Sequence, residues 1–206
     1  TLTALLAAMV VGLPVALWLG HLGRGGFLAI NISNVGRAVP TSALLAIFVA
    51  GAPWGWPGGA FPGTGDVGPY GRAGISTLVA LALFALPPLI TNAYVAIREV
   101  PPDVRESARG LGYGDGRLLL RVELPLAVPV VMAGLRVATV STVALTTVGS
   151  LVAYGGLGNL IAEGVQSNFR AQLLTAAVLC VVLAVLLDVV IVLAQRVLTP
   201  WTRTAG

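Results

Sequence analysis

The 206-residue sequence is strongly apolar: 57% of its residues are hydrophobic, only 10% are charged, and the formal net charge is +4. A typical soluble domain is about 25% charged. The composition, with a mean hydropathy of +0.94, therefore excludes an ordinary water-soluble domain and indicates a chain whose solvent is lipid. The arginines lie between apolar runs, which is typical of membrane loops and argues against a nucleic-acid partner.

Five apolar segments are long enough to cross a bilayer, since about 20 helical residues span the hydrocarbon core. They are residues 2–20, 32–52, 75–97, 127–153 and 172–195. The runs are too long for β-barrel strands and do not alternate. The sequence predicts an all-α polytopic membrane protein with about five transmembrane helices, built as a single domain over residues 1–206.

The arginine distribution predicts the orientation. Segments 20–31 and 98–126 and the C-terminal tail, which share one predicted side, contain eight arginines: Arg24, Arg98, Arg105, Arg109, Arg117, Arg121, Arg196 and Arg203. The loops on the opposite side contain two, Arg72 and Arg170. Positive residues concentrate on the cytoplasmic side. We therefore expect the N-terminus outside and the C-terminus in the cytoplasm.

The 98–126 connection is the long charged loop of the predicted cytoplasmic side. Pro101 and Pro102 end the preceding helix, and Asp103 with Glu106 has the spacing of a capping box. Gly110 and Gly112 end this short helix. A second short helix is predicted at about 117–124, before Pro125 and Pro129 introduce the fourth span. The loop is therefore expected to form a compact structure of two short helices around a glycine turn.

This loop resembles the EAA loop of ABC importer permeases, whose pattern is E-A-A-x3-G-x9-I-x-L-P. The chain has Glu106-Ser107-Ala108, three residues, Gly112, nine residues, and Val122-Glu123-Leu124-Pro125. Ser107 and Val122 are mild departures from the pattern. The resemblance implies a MetI-like type I importer transmembrane domain in a bacterial inner membrane.

Three further stretches are similar to the osmoprotectant branch of these permeases, which moves glycine betaine, choline, carnitine or proline. They are residues 34–45, where Arg37 replaces a common Gln, residues 133–139, and residues 154–161. Methionine-type permeases share the last stretch. Methionine or another small organic solute is therefore an alternative substrate, and an ATPase-independent channel or carrier is an alternative of another class.

The resemblance implies that this chain is not an enzyme and holds no cofactor, with ATP and Mg on a partner ATPase subunit. Indeed the sequence has no G-x-x-x-x-G-K-[ST] loop, no metal-ligand cluster and no catalytic triad. Expected partners are the ATP-binding subunit, a second permease copy or paralogue, an extracytoplasmic binding protein and membrane lipid. The ATPase-coupling residues implied are Asp103, Arg105, Glu106, Ser107, Ala108, Arg109, Gly110, Gly112, Leu124 and Pro125.

A glycine-rich stretch on the predicted outer side is a candidate gate or pathway element. Glycines let a backbone fold back toward a pore axis where side chains would clash. The candidate residues are Tyr154, Gly155, Gly156, Leu157 and Gly158. An ordinary outer turn is the alternative. Within the fifth span, Asp188 is predicted to form a structural pair with Arg196 or a partner subunit rather than a functional site.

Overall fold

A computed structural model of the chain describes residues 1–23, 74–149 and 156–203, together with positions 25, 31 and 43. The regular elements in these ranges are helical, in the order α1 (Leu2–Leu22), α2 (Gly74–Arg98), α3 (Pro102–Gly110), α4 (Asp115–Leu118), α5 (Leu124–Val148), α6 (Leu157–Gln166) and α7 (Arg170–Leu198). A five-residue π-helix, Leu119–Glu123, joins α4 to α5, and a 3-10 turn, Pro200–Arg203, follows α7.

Among the described residues, four helical stretches are long and apolar enough to cross a membrane: α1, α2, the continuous run Asp115–Val148, and α7. The predicted all-α membrane fold is confirmed. These stretches overlap four of the five predicted spans. The remaining one, residues 32–52, lies outside the described residues, as do residues 150–153 at the end of the predicted fourth span.

Helices α1 and α2 pack closely because α1 presents a stripe of small buried residues at every fourth position: Ala4, Ala8, Gly12, Ala16 and Gly20. A Cβ added at Gly12 would lie 2.7 Å from Leu86 Cδ2, and one at Gly20 would lie 2.9 Å from Ile97 Cβ. Lipid is as apolar as a side chain, so close backbone approach supplies the packing energy between membrane helices. The stripe therefore fixes α1 against α2.

Helix α5 lies at the centre of the bundle, in contact with α2 and α7. The core between α1, α2 and α5 includes Leu5, Leu89, Met132 and Leu135. At Gly134 an added Cβ would lie 2.5 Å from Asn92 Cβ, so α2 and α5 also approach closely. Along α5 the hydroxyls of Thr139, Thr142 and Thr146 donate to carbonyls four residues earlier, so they need no water in this apolar setting.

The structure corrects the predicted start of the first loop helix. Helix α3 begins two residues earlier, with Pro101 rather than Asp103 at the N-cap and Pro102 as the first helical residue, and no side chain caps it. The capping box of Asp103 and Glu106 does not form. A proline fits the first helical position because its missing N–H would have no intrahelical partner there, and Asp103 remains in the first turn, where its charge suits the helix dipole.

The structure also corrects the second loop helix, which was predicted to be separate from the fourth span. Helical backbone runs without a break from Asp115 to Val148. In a regular α-helix Pro125 would clash with a carbonyl of the preceding turn. Here the wider π-helical turn directly precedes it, with the Leu124 N–H donating to the Leu119 carbonyl. The chain therefore passes the proline without breaking the helix.

Candidate coupling site

The knob, defined as residues 102–123, comprises α3, the glycine turn, α4 and the π-helix. Gly112 has a φ of +83° and ends α3. The Tyr113 N–H donates to the Ala108 carbonyl at 3.2 Å, and the Gly112 N–H donates to the Arg109 carbonyl at 2.9 Å. These two bonds form a Schellman motif with Gly112 in the left-handed position. The glycine therefore satisfies the last carbonyls of α3 and turns the chain sharply toward α4.

Glu123 is the centre of a buried ionic cluster in the knob, and its side chain is only 1% exposed. One carboxylate oxygen, Oε2, lies 2.7 Å from His21 Nδ1 at the end of α1. The other, Oε1, lies 3.1 Å from Arg105 Nε on α3. Arg105 Nη2 also donates to the Ile97 carbonyl at the end of α2. We call this group, Glu123 with His21, Arg105 and the Ile97 carbonyl, the Glu123 junction.

The electrostatics of the Glu123 junction follow from its burial. An ionised carboxylate can be buried only when it is paired and hydrogen-bonded, because isolated charges lose their hydration. A carboxylate oxygen accepts and does not donate, so the proton in the short contact lies on His21 Nδ1. The Arg105 Nε contact is an ion pair rather than an aligned hydrogen bond. The junction thus joins the ends of α1 and α2 and the middle of α3 to the start of α5.

Asp115 forms an outer, exposed rim beside the junction. Its Oδ1 lies 3.9 Å from His21 Nε2 and 3.8 Å from Arg109 Nη2. The Asp115 and Arg109 side chains are 75% and 57% exposed. Exposed ion pairs contribute little to stability. The structural link in the knob is therefore the buried junction, and the rim remains open to a partner.

The predicted coupling residues fall into three groups. The exposed ones are Asp103, Glu106, Ser107, Arg109, Gly110 and Gly112. Ala108 is buried, and Leu124 and Pro125 are half-buried at the start of α5. Arg105 differs from the expectation that it faces a partner, because its guanidinium points inward to Glu123 and the Ile97 carbonyl. Glu106, in contrast, is exposed and forms no ion pair with the part of the chain that the structure describes.

An open groove of about 390 Å³ runs along the knob. It lies between α3 and the π-helix and is lined mainly by apolar atoms of Asp103, Val104, Ser107, Ala108, Leu111, Tyr113 and Val122. Leu111 at its edge is 80% exposed. An exposed apolar groove rimmed by charges is the usual form of a protein-interaction site. Of the motif residues, Ser107 is thus part of an accessible surface, and the buried Ala108 lies at the base of the groove.

The candidate gate stretch is described from Gly156 onward, and Tyr154 and Gly155 lie outside the described residues. Gly156 has φ +82° and ψ −160°, a backbone region that is essentially restricted to glycine. Leu157 and Gly158 then begin α6, whose ten residues extend about 15 Å and are too few to cross a bilayer. The sequence interpretation did not include this helix.

Helix α6 folds back against the start of α7. At Gly164 an added Cβ would lie 2.9 Å from the Leu173 backbone nitrogen. The turn is a second Schellman motif: the Phe169 N–H donates to the Gly164 carbonyl, and Asn168 holds the left-handed position with φ 53°. A backbone that turns back in this way fits a re-entrant element as well as an outer turn.

Asp188 forms a structural pair, but with a different residue from the one predicted. Arg136 on α5 contacts both of its carboxylate oxygens, with Nε–Oδ1 at 2.7 Å and Nη2–Oδ2 at 2.9 Å. The two side chains are 42% and 28% exposed. Residues 52 apart in sequence gave no signal of this pairing, which depends on the antiparallel packing of α5 and α7.

Sequence reasoning missed the roles of His21 and Glu123. His21 appeared to be an isolated loop histidine, and Glu123 occupies a variable position of the EAA pattern. The two residues are 102 positions apart in the sequence, so no local pattern indicates their contact. Glu123 is buried as the last residue of the π-helix, a turn that the sequence did not predict.

The knob and bundle match known proteins over nearly the whole chain. Residues 8–204 match the family described as "Binding-protein-dependent transport system inner membrane component". The choline transport system permease protein OpuBB of Bacillus subtilis is 31% identical over 200 residues, covering 97% of this chain and 84% of that protein. The glycine betaine/proline betaine transport system permease protein ProW of Escherichia coli is 28% identical over 187 residues, covering 91% and 48%.

A solved structure has the same fold. An inward-facing structure of the MetNI methionine ABC transporter aligns with a TM-score of 0.72 at 22% identity, covering 95% of this chain and 89% of that chain. At this identity the likeness concerns the fold alone. Together with the apolar helices and the EAA-type knob, the family match gives the identification: the chain belongs to the family of inner membrane components of binding-protein-dependent transport systems.

Proposed function

We propose that this chain is the permease subunit of an ABC importer and forms the transmembrane pathway for a small osmoprotectant such as glycine betaine, choline, carnitine or proline. The relatives at 28–31% identity carry permease names for choline, glycine betaine and carnitine, and they support the substrate class. Transport by the permease requires no catalytic residues of its own.

The observation that carries the proposal is the form of the knob. Its first helix is ended by a Schellman motif, its interior is tied by the Glu123 junction, and its outer side offers an apolar groove. Glu106 is exposed on the same first helix. A rigid, exposed element at the ends of three spans is suited to receive force from a partner. In this proposal the partner is an ATP-binding subunit that holds ATP and Mg.

The sequence supports placing ATP hydrolysis on a separate subunit. The chain has twelve basic residues, all of them arginine, so it lacks the lysine that a phosphate-binding P-loop uses. The knob would dock on the ATPase through the groove and through Glu106 and Arg109. An extracytoplasmic binding protein would deliver the substrate at the other end.

Helix α7 supports a second copy or paralogue of the permease as a partner. Only 6% of its most apolar stretch is buried within the chain. Exposed large apolar residues cover it on several sides, among them Leu174, Val178, Val181, Val185, Leu186 and Val190. Lipid would cover part of this surface and a partner permease the rest, and both placements fit a multi-pass inner membrane protein.

The orientation in the proposal has the knob in the cytoplasm, the N-terminus outside and the C-terminus inside. The Glu123 junction places the end of α1 beside the knob. The Arg136–Asp188 pair supports the same side for the end of α7. On the opposite side, the Gly156 turn and α6 would form the gate segment near the substrate pathway.

The experiment is uptake by proteoliposomes that contain the chain with its ATPase subunit and binding protein. We expect ATP-dependent accumulation of radiolabelled glycine betaine or choline, and none when the ATPase subunit carries an inactive catalytic residue. Accumulation of methionine, without glycine betaine or choline, would show that the proposed osmoprotectant class is wrong and that methionine is the substrate. Uptake that persists with the inactive ATPase would contradict the proposal and favour a channel or carrier.

A further inference from the structure

We infer that Glu123 is a positioning residue for energy coupling, which fixes the knob to the ends of α1 and α2 so that a displacement of α3 moves both spans with α5. The inference rests on the proposed function, because it concerns how ATP-driven movement reaches the transport pathway. It assigns a role to His21, Glu123 and Arg105, which lie outside the docking surface of the knob.

The Glu123 carboxylate is shared between several helices. Oε2 of Glu123 contacts His21 of α1 at 2.7 Å, and Oε1 contacts Arg105 of α3 at 3.1 Å. Arg105 extends the connection to α2 through the Ile97 carbonyl. Glu123 itself is in the π-helix that continues into α5. A single side chain thus links four elements that the chain visits at widely separated positions.

Apart from its contact with Glu123, α3 is only weakly held against the bundle. Within α3, Ala108 is the only buried residue, and the helix exposes most of its other side chains. Arg105, which is 16% exposed, is therefore its main polar connection to the bundle. A force applied to the exposed face of α3 would pass to the spans through Arg105 and Glu123, as well as along the chain through the turns at each end.

The contacts that Glu123 makes are ionic rather than apolar. Well-packed apolar residues can replace a buried ion pair at no loss of stability, so stability alone does not require charges here. Buried charges do impose specific pairing, because any other arrangement leaves a charge without a partner. Glu123 is buried within a π-helical turn, and such turns are frequent at functional sites. The junction therefore suits a fixed geometry between moving parts.

The test compares His21→Asn with His21→Leu in the reconstituted complex. Asparagine keeps an N–H donor near the position of Nδ1, whereas leucine fills the space without a donor. The measured quantity is the substrate taken up per ATP hydrolysed, in proteoliposomes with equal amounts of assembled complex. We expect His21→Leu to lower this ratio by about 2- to 30-fold, the range of mutations along coupled contacts, and His21→Asn to retain most of it.

Glu123→Gln is the second variant, with Glu99→Gln as its matched control. Glu99 is exposed at the end of α2 and lies outside the junction. We expect Glu123→Gln to lower uptake per ATP while ATP hydrolysis continues, and Glu99→Gln to leave the ratio unchanged. In the His21→Leu, Glu123→Gln double variant the losses should not add, since both changes break the same connection.

The outcomes separate the inference from the proposed function. A purely structural junction would reduce the amount of assembled complex but leave uptake per ATP at the unaltered value in His21→Leu and Glu123→Gln, and that result would overturn the inference alone. If the unaltered complex shows no ATP-dependent uptake, the proposed function falls and the inference falls with it. A lowered ratio that His21→Asn restores supports both.

Discussion

Two short helices in the described part of the chain, α3 and α6, end in the same way but are held by different forces. Each closes with a Schellman motif, with Gly112 in the left-handed position after α3 and Asn168 after α6. Helix α3 has one buried residue and is tied to the bundle by the Arg105–Glu123 ion pair. Helix α6 instead packs its backbone against α7, with Gly164 beside Leu173.

The difference indicates what each helix is suited to do. An ionic tie holds a direction and exposes the rest of the helix surface, so α3 can bind a partner and still transmit movement. A close backbone contact depends on shape alone, so α6 is fixed as long as it stays packed on α7. The ionic tie lies at the start of α5 and the backbone contact lies beyond its end, which separates the knob from the proposed gate segment.

The largest expected effect comes from breaking the ionic tie with Glu123→Leu. Leucine removes the carboxylate and leaves the Arg105 guanidinium buried without its counter-charge. Removing one partner of a buried pair costs about 3–5 kcal/mol. We expect a marked fall in the thermal denaturation midpoint of the purified complex. The exposed Glu99→Leu is the control, and an equal fall in both variants would show that the junction is not special.

An intermediate effect is expected from Gly164→Ala, which breaks the shape contact of α6. The new Cβ would lie 2.9 Å from the Leu173 nitrogen and 3.1 Å from its Cα, and backbone atoms cannot rotate away. Overpacking of this kind costs about 1–3 kcal/mol. Gly116→Ala is the matched control, since its Cβ would meet nothing within 4 Å. If the two variants denature at the same temperature, α6 is not held by this contact.

The smallest of the three effects is expected from Gly112→Val, which strains the left-handed turn that ends α3. Helix α6 ends in a turn of the same type. A Cβ at Gly112 meets nothing within 4 Å, so the cost comes from its φ of +83°. Left-handed backbone costs an L-residue about 1–2 kcal/mol. Gly112→Asn should be milder, since asparagine holds the same position at Asn168. Equal melting of the valine and asparagine variants would contradict the role of backbone strain.

The sequence predicted those features that depend on local pattern. Apolar runs of about 20 residues gave the membrane helices, and the spacing from Glu106 to Pro125 located the knob. Glycine at 112 predicted the end of α3 because its backbone freedom is a property of one residue. The capping box failed because Pro102 offered a better first helical residue, a competition that residue preferences alone do not decide.

Features that depend on packing could not be predicted. The pairing of His21 with Glu123 needs α1 and the knob to meet, and the Arg136–Asp188 pair needs α5 and α7 to run antiparallel. The π-helix has no sequence pattern of its own, so the burial of its last residue, Glu123, could not be predicted. Helix α6 was missed because its ten residues follow a glycine-rich stretch that reads as a loop.

Photo-cross-linking tests most directly the central claim that the knob is the docking site of an ATP-hydrolysing subunit. A photoreactive amino acid would replace Ser107, which is exposed beside the groove, or Gln166, which is exposed at the end of α6. The account predicts that position 107 cross-links to the ATPase subunit in the assembled complex and that position 166 does not. Cross-linking from position 166, or from neither position in a complex that contains the ATPase, would contradict it.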